Sequence, residues 1–284
     1  MTTTPPRIDS TISNDHKTSD RPRQPKRNPA SKTLAGLPLL LGRLAIGAAA
    51  LLVWQIVTHF GFVDPLVSRT PAETLGFLKV ITLDGTLLPA LVVTLTATLI
   101  ALVLASVCGI IAGVAMGLMP RVEALVDPYV SALNALPRIA LAPIFIIYFG
   151  LGQGGKVALA FTLVFFVVLV SARAGIKTVD PDILTLTTMM NISPIKLFFS
   201  VLLPSSVPSI FAALRLGLIY SLLGVISSEL IASEAGLGQL ISMYSGQFKL
   251  EGVYAIIIVL ALVATVLNLL MSAVEHRLLH WQRA

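Results

Sequence analysis

Long apolar runs separated by short polar ones set the rhythm of this chain. They cover Leu34 to Phe60, Ala90 to Leu118, Val126 to Gly150, Val157 to Ala172, Ile210 to Ile231 and Tyr254 to Val274. Several reach the roughly 20 apolar residues that cross a hydrocarbon core, and none shows the alternating ten-residue pattern of a membrane strand. The pattern therefore predicts an all-α polytopic membrane protein with six transmembrane helices.

Detail within the runs refines this picture. As a helix, Ala90 to Leu118 is ~43 Å long, more than the core thickness, so it tilts or projects. Gly109, Gly113 and Gly117 recur at every fourth position in it, a stripe of small residues that lets another helix approach closely. Pro137 and Pro143 interrupt the third run. Residues 61–87 are mixed in character, carry the turn-forming Asp64-Pro65 pair, and are expected to be an external loop with a short surface helix after Pro71. Residues 1–33 hold almost no apolar side chains and are expected to be a disordered tail; residues 276–284 form a polar C-terminus. The first run, 34–60, is longer than the apolar core of a signal peptide and is expected to be retained as a span.

One segment breaks the rhythm. Val179 to Leu216 begins too polar to span a bilayer and is too amphipathic for a plain linker. Asp180-Pro181 and Ser193-Pro194 each supply an N-cap oxygen followed by a residue with φ already set for a first helical turn. Asn191 accepts the left-handed conformation that closes a helix. Helix, tight turn, helix is predicted over 180–203, ended by Pro204. Ile183, Leu186 and Met190 line one side of the first helix, and Ile195, Phe198, Phe199 and Leu202 give the second an apolar face. Without further information, the pair also reads as interfacial helices on the membrane surface.

Composition and charge then narrow the classes. The chain is 56% hydrophobic and 12% charged, against about a quarter charged in soluble domains. The net charge of +6 does not point to nucleic acid. Arg7, Lys17, Arg21, Arg23, Lys26, Arg27 and Lys32 crowd into the N-terminal tail beside a span, and that is a topology signal. With the N-terminus inside, Arg43, Arg121, Arg173, Lys177, Lys196, Arg277 and Arg283 join them on the cytoplasmic side, against Arg69, Lys79, Lys156 and Lys249 outside. This bias places 179–203 in the cytoplasm.

Candidate chemistry is sparse. The single cysteine, Cys108, excludes a disulfide framework and a Cys-based metal site. His16, His59, His276 and His280 do not converge on carboxylates at metal-ligand spacing, which disfavours a metalloprotease. G-L-G-Q-G-G-K at 150–156 fits seven positions of a phosphate-binding loop, but Val157 stands where a magnesium-holding hydroxyl belongs and no strand precedes it. The glycines make an interhelical turn, and ATP hydrolysis is not expected in this chain.

Leu203, Pro204 and Pro208, then Ile210 and Leu214-Arg215-Leu216, give the tail of a longer pattern, and Ala135-Leu136-Pro137, Ala142-Pro143, Phe149-Gly150-Leu151-Gly152, Glu229 and Gly236-Leu237-Gly238 extend it over roughly residues 88–275. In these motifs the chain resembles the inner-membrane permease subunits of bacterial ABC importers of the nitrate, sulfonate and taurine group. The resemblance implies a type I ABC importer permease architecture with a permease core at 88–275. It implies a homodimer in the plasma membrane, a cytoplasmic ATPase dimer holding ATP and Mg, and an extracytoplasmic substrate-binding protein, with no cofactor in this chain. The solute is implied to be a sulfonate, taurine or nitrate; a vitamin or pyrimidine precursor, or a secondary transporter without an ATPase, is the alternative. The family's E-A-A-x-x-x-G head is altered here: Thr185, Leu186 and Thr187 replace E-A-A and Asn191 the glycine. These residues, with Ile192 and Ser193, are the implied ATPase-docking set. Asparagine preserves the turn, whereas loss of the carboxylate at Thr185 removes a charge-assisted contact. Polar residues within spans are costly and mark candidate paths. Arg138 is expected to attract an anionic solute, and Glu229, beside Ser228, to shape the external mouth.

Overall fold

The computed structural model describes residues 36–60 and 68–278, and among them it is helical with no strand. The N-terminal tail and the Asp64-Pro65 turn lie outside the described residues. The chain divides into two compact units, 1–52 and 53–284. The described part of the first is the opening of α1 (Gly36–His59). In the second, the end of α1 is followed by α2 (Pro71–Leu83), α3 (Leu87–Leu118), α4 (Pro120–Ala135), a 3-10 turn (Arg138–Leu141), α5 (Ala142–Phe149), α6 (Gln153–Lys177), α7 (Pro181–Met189), α8 (Pro194–Leu197), a π-helical turn (Phe198–Leu202), α9 (Leu203–Ile231), α10 (Leu237–Gly246) and α11 (Leu250–Leu278).

Among the described residues four helical stretches are long and apolar enough to cross a membrane, α3, α6, α11 and Ile195–Ile231, and the bent pair of α4 with Arg138–Phe149 passes the same test when its halves are taken together. The remaining expected span falls on α1, where Ala45–His59 is an apolar helix. Large apolar side chains stay exposed on the spans, among them Ile111 on α3 and Leu262, Leu269 and Leu270 on α11. A belt of this kind is stable only against hydrocarbon or another subunit.

α3, α6 and α9 form the centre. Their contact faces are built from Ala97, Ala101 and Ala105 on α3, Ala160, Val164 and Val168 on α6, and Ala213 and Val225 on α9, all fully or almost fully buried. The predicted glycine stripe lies against α6: a Cβ on Gly109 would stand 2.8 Å from the carbonyl oxygen of Phe165 and one on Gly117 3.0 Å from Ile176 Cβ, and one on Gly113 would collide with the Leu169 carbonyl. Nearer the start of α6, a Cβ on Gly224 of α9 would come within 2.8 Å of Ala160 Cα. Backbones in van der Waals contact gain dispersion energy that bulky residues would prevent, which is how helices associate where the hydrophobic effect is absent. The Ser221 hydroxyl donates to the Thr98 carbonyl at 2.7 Å and joins α9 to α3 in the same layer.

Three expectations are corrected. The third run is broken as expected, but far more sharply than an interrupted span would be, its two halves meeting at 83°. Leu136, preceding Pro137, is extended (φ −66°, ψ 139°), as proline demands of its neighbour. Pro143 sits in the first turn of α5, where a missing N–H costs nothing. Secondly, the short helix expected after Pro71 is present over 71–83 but does not lie free on the surface. Thr70 accepts from the Glu73 amide at 3.2 Å while the Glu73 carboxylate accepts from the Thr70 amide at 2.9 Å, a complete capping box. The helix so started buries Thr74 and Ile81, the latter in a cluster with Leu240, Tyr244 and Ile256. Thirdly, Pro204 does not end the second short helix. The π-helical turn at Phe198–Leu202 spaces the hydrogen bonds so that Pro204 falls in the first turn of α9, and the helix runs on from α8 into the span.

Candidate functional site: the interspan loop and the opposite rim

The loop between α6 and α9 folds as its caps dictate. Asp180 Oδ1 accepts from the Asp182 amide at 2.9 Å and starts α7. At its end Met190 N–H reaches the Leu186 carbonyl (2.9 Å) and Ile192 N–H the Thr187 carbonyl (3.1 Å), while Asn191 takes φ +51°. Ser193 starts α8, its carbonyl accepting from Leu197 at 2.9 Å. Ile176, Val179 and Leu202 bury the base of the loop, with Leu184, Leu197, Phe198 and Val201 packed on them.

One of the implied docking residues turns inward. Thr187 is buried, and the Thr187 and Thr188 hydroxyls both donate to the Leu184 carbonyl at 2.8 Å, so their protons are already engaged within the helix. Ile183, Leu186 and Met190, read as one apolar side, are exposed, together with Met189, Ile195 and Phe199. Thr185, Asn191 and Ser193 are exposed and Ile192 is half-buried. Beside the loop, Lys177 and Arg173 of α6 hold Glu123 of α4, the lysine at 2.5 Å and the arginine at 3.5 Å, and Arg173 also pairs with Asp127. Arg215 of α9 pairs with Glu275 of α11. These pairs tie the loop ends of adjacent spans together.

At the opposite end of the spans lies a polar knot whose members sequence reasoning did not assemble. Lys156 is 2% exposed and Glu229 1%. Lys156 Nζ lies 3.0 Å from Glu229 Oε1 and also donates to the Ala235 carbonyl. Thr94 directs its hydroxyl to the carboxylate (3.0 and 2.9 Å) and accepts from the Leu237 amide (2.9 Å), and Gly238 N–H donates to Glu229 Oε2 (2.9 Å). These donors satisfy the buried carboxylate without water. The signal for Lys156 was present, a lysine followed directly by an apolar run; Thr94 gave none, since threonine is common in spans.

Arg138 has a separate setting. Directly after Pro137, it donates through Nη2 to the Asn134 carbonyl at 3.0 Å and to the Asn134 side-chain oxygen, and its guanidinium lies 4.5 Å over the Phe166 ring. Ser228 is buried at 1%. Arg138 shares no hydrogen-bond partner with Ser228 or Glu229, so the three expected path residues do not form one cluster. A polar recess of about 200 Å³ opens beside the knot, lined by Ser233, Gln239 and Ser242 among others. Among the described residues no group of three or more His, Cys, Asp or Glu side chains is placed to hold a metal.

An all-helical bundle of long apolar helices, with a capped helix pair at one end, defines a polytopic membrane protein. The chain belongs to the family of binding-protein-dependent transport system inner membrane components, whose model matches residues 105–280. It is 33% identical to the taurine transport system permease protein TauC of Escherichia coli (strain K12) over 84% of this chain and 89% of that protein. It is 28% identical to the putative aliphatic sulfonates transport permease protein SsuC of Bacillus subtilis (strain 168), over 85% and 87% respectively. The fold is shared with the MetNI methionine ABC transporter in its inward-facing conformation, at a TM-score of 0.61 and 15% identity, over 68% of this chain and 96% of that one.

Proposed function

We propose that this chain is the permease subunit of an ATP-driven importer for small sulfonates, taurine foremost. It works as a pair, with two ATPase subunits that hold ATP and Mg on the cytoplasmic face and a solute-binding protein outside. The observation that carries the reading is the helix–turn–helix of 181–197: a capped element seated on the end of α6 and the π-helical turn, whose exposed side is apolar. Solvent offers such a surface nothing, and a groove in a partner would desolvate Leu186, Met189, Met190 and Ile195. The loop then lies in the cytoplasm, as does the N-terminus. Because Thr185 carries no carboxylate, docking rests on apolar contact and on the turn at Asn191, Ile192 and Ser193. ATP-driven closure of the partners moves this element as a rigid body and, through α6 and α9, opens and closes the path. Arg138, at the break of the bent span, attracts the anionic solute.

The test is reconstitution in proteoliposomes with the neighbouring ATPase and binding protein, measuring ATP hydrolysis and uptake of radiolabelled taurine. Taurine-dependent hydrolysis that disappears in Leu186→Asp is expected. Hydrolysis that never depends on this chain overturns the reading.

A further inference from the structure

The G-L-G-Q-G-G-K segment fails as a phosphate loop, yet its lysine is placed at the start of a span and then buried. Lys156, Glu229 and Thr94 come from α6, α9 and α3, and every polar contact they make with a fourth element goes to one short stretch, Ala235 to Gly238. The Ala235 carbonyl takes the ammonium, the Leu237 amide the threonine oxygen, and the Gly238 amide the carboxylate. The first two amides of α10 are thus capped by side chains from α3 and α9 and not by its own flank.

The stretch has a single way to sit. Gly236 holds φ +124°, and a Cβ on it would collide with the Glu229 carboxylate. One on Gly238 would stand 2.7 Å from Glu229 Cβ. Ala235 cannot shift without leaving the ammonium short of an acceptor, and Lys156 cannot shift without exposing an unpaired charge to an apolar interior. α10 is held from its other side as well, by burial of Leu240 and Tyr244 against Ile81 of α2 and Ile256 of α11. The bent pair is the opposite case: of sixteen residues in α4 only Val130 is buried, and of eight in α5 only Ala142. α4 is otherwise tied to α6 by the partly exposed pairs of Glu123 and Asp127 with Arg173 and Lys177, which cost far less to break than a desolvated charge knot, so the bent pair is the part that can move.

We infer that Lys156, Glu229 and Thr94 are positioning residues for transport: they fasten the turn 232–236 and α10 to the ends of α3, α6 and α9, so that this rim and its polar recess keep one geometry through the cycle. The bent pair of α4 and α5 then takes up the movement. This inference rests on the permease reading above.

The complete complex in proteoliposomes tests it, with taurine and ethanesulfonate as probes. Lys156→Met alone leaves the Glu229 charge unpaired and is expected not to assemble. Two other variants keep the question open: Thr94→Val, which removes the bridging hydroxyl at constant volume, and the double variant Lys156→Met with Glu229→Gln, which removes both charges. Both are expected to co-elute with the ATPase, to lose uptake by at least tenfold, and to hydrolyse ATP at a rate that no longer rises when loaded binding protein is added. Wild-type stimulation and uptake in both variants overturns the inference, and so does loss of assembly in both, which assigns the knot to folding alone. Failure of the wild-type complex to respond to either probe defeats the permease reading and this inference together. A response in wild type and variants alike defeats the inference only.

Discussion

Lys156 Nζ and Glu229 Oε1 face each other at 3.0 Å across the α6–α9 interface, the lysine side chain 3% exposed and the glutamate side chain fully buried. Removing one member of such a pair strands a charge, whereas removing both does not. Lys156→Met or Glu229→Gln alone is expected to destabilise the detergent-solubilised chain by about 3–5 kcal/mol, and the double substitution by clearly less than the sum. Thermal unfolding of the four proteins measures the coupling; strictly additive effects contradict it.

The close approach of α3 and α6 gives a second expectation. Gly113→Ala places a methyl group against the Leu169 carbonyl, and the cost of such overpacking is about 1–3 kcal/mol. Gly76→Ala in α2, where nothing lies within 4 Å of the new atom, is the control and is expected to be neutral or slightly stabilising. Melting temperatures of the two variants decide it.

Asn191 occupies left-handed backbone at φ +51° between the two short helices. Asn191→Gly is expected to leave assembly with the ATPase intact, since glycine takes this conformation freely. Asn191→Val puts a β-branched residue where it costs roughly 1–2 kcal/mol and reorients α8, and a corresponding drop in ATPase affinity is expected by surface plasmon resonance. Equal affinity for both variants shows that the turn does not set the docking geometry.

Leu186 is 58% exposed and Met189 77%. Leu186→Asp introduces a charge that docking would have to desolvate, so ATPase affinity is expected to fall at least tenfold, about 1.4 kcal/mol, with the melting temperature of the isolated chain unchanged. A parallel fall in melting temperature assigns the residue to the fold and not to docking.

Arg138 sits over Phe166 with its Nη2 on Asn134. Arg138→Gln preserves a hydrogen-bonding head but removes the charge, and taurine uptake at limiting concentration is expected to fall while ATPase assembly persists. Unchanged uptake takes Arg138 off the path.

The apolar runs, the glycine stripe and the two cap-and-proline starts were each legible because local chemistry decides them. Twenty apolar residues have no stable place in water, glycine at every fourth position can only mark a close helix contact, and Asp180 and Asn191 satisfy their helix ends whatever packs around them. The capping box at Thr70 and Glu73 is equally local and was readable in the same way, although the mixed composition around it resembled a loop.

Other features depend on residues far apart in the chain. Nothing near Lys156 indicates Glu229, 73 positions away, or Thr94, and only the packing of α3, α6 and α9 makes their burial tolerable. Pro204 looked like a stop and is not one, because a π-helical turn before it absorbs the missing donor. By itself, then, the sequence determined the membrane environment, most of the spans and the capped helix–turn–helix, all properties of short windows read against water or lipid. Which face of α7 turns outward, how sharply the third span bends and which charges meet inside were decided by tertiary structure, because burial and charge pairing depend on what surrounds a residue in space.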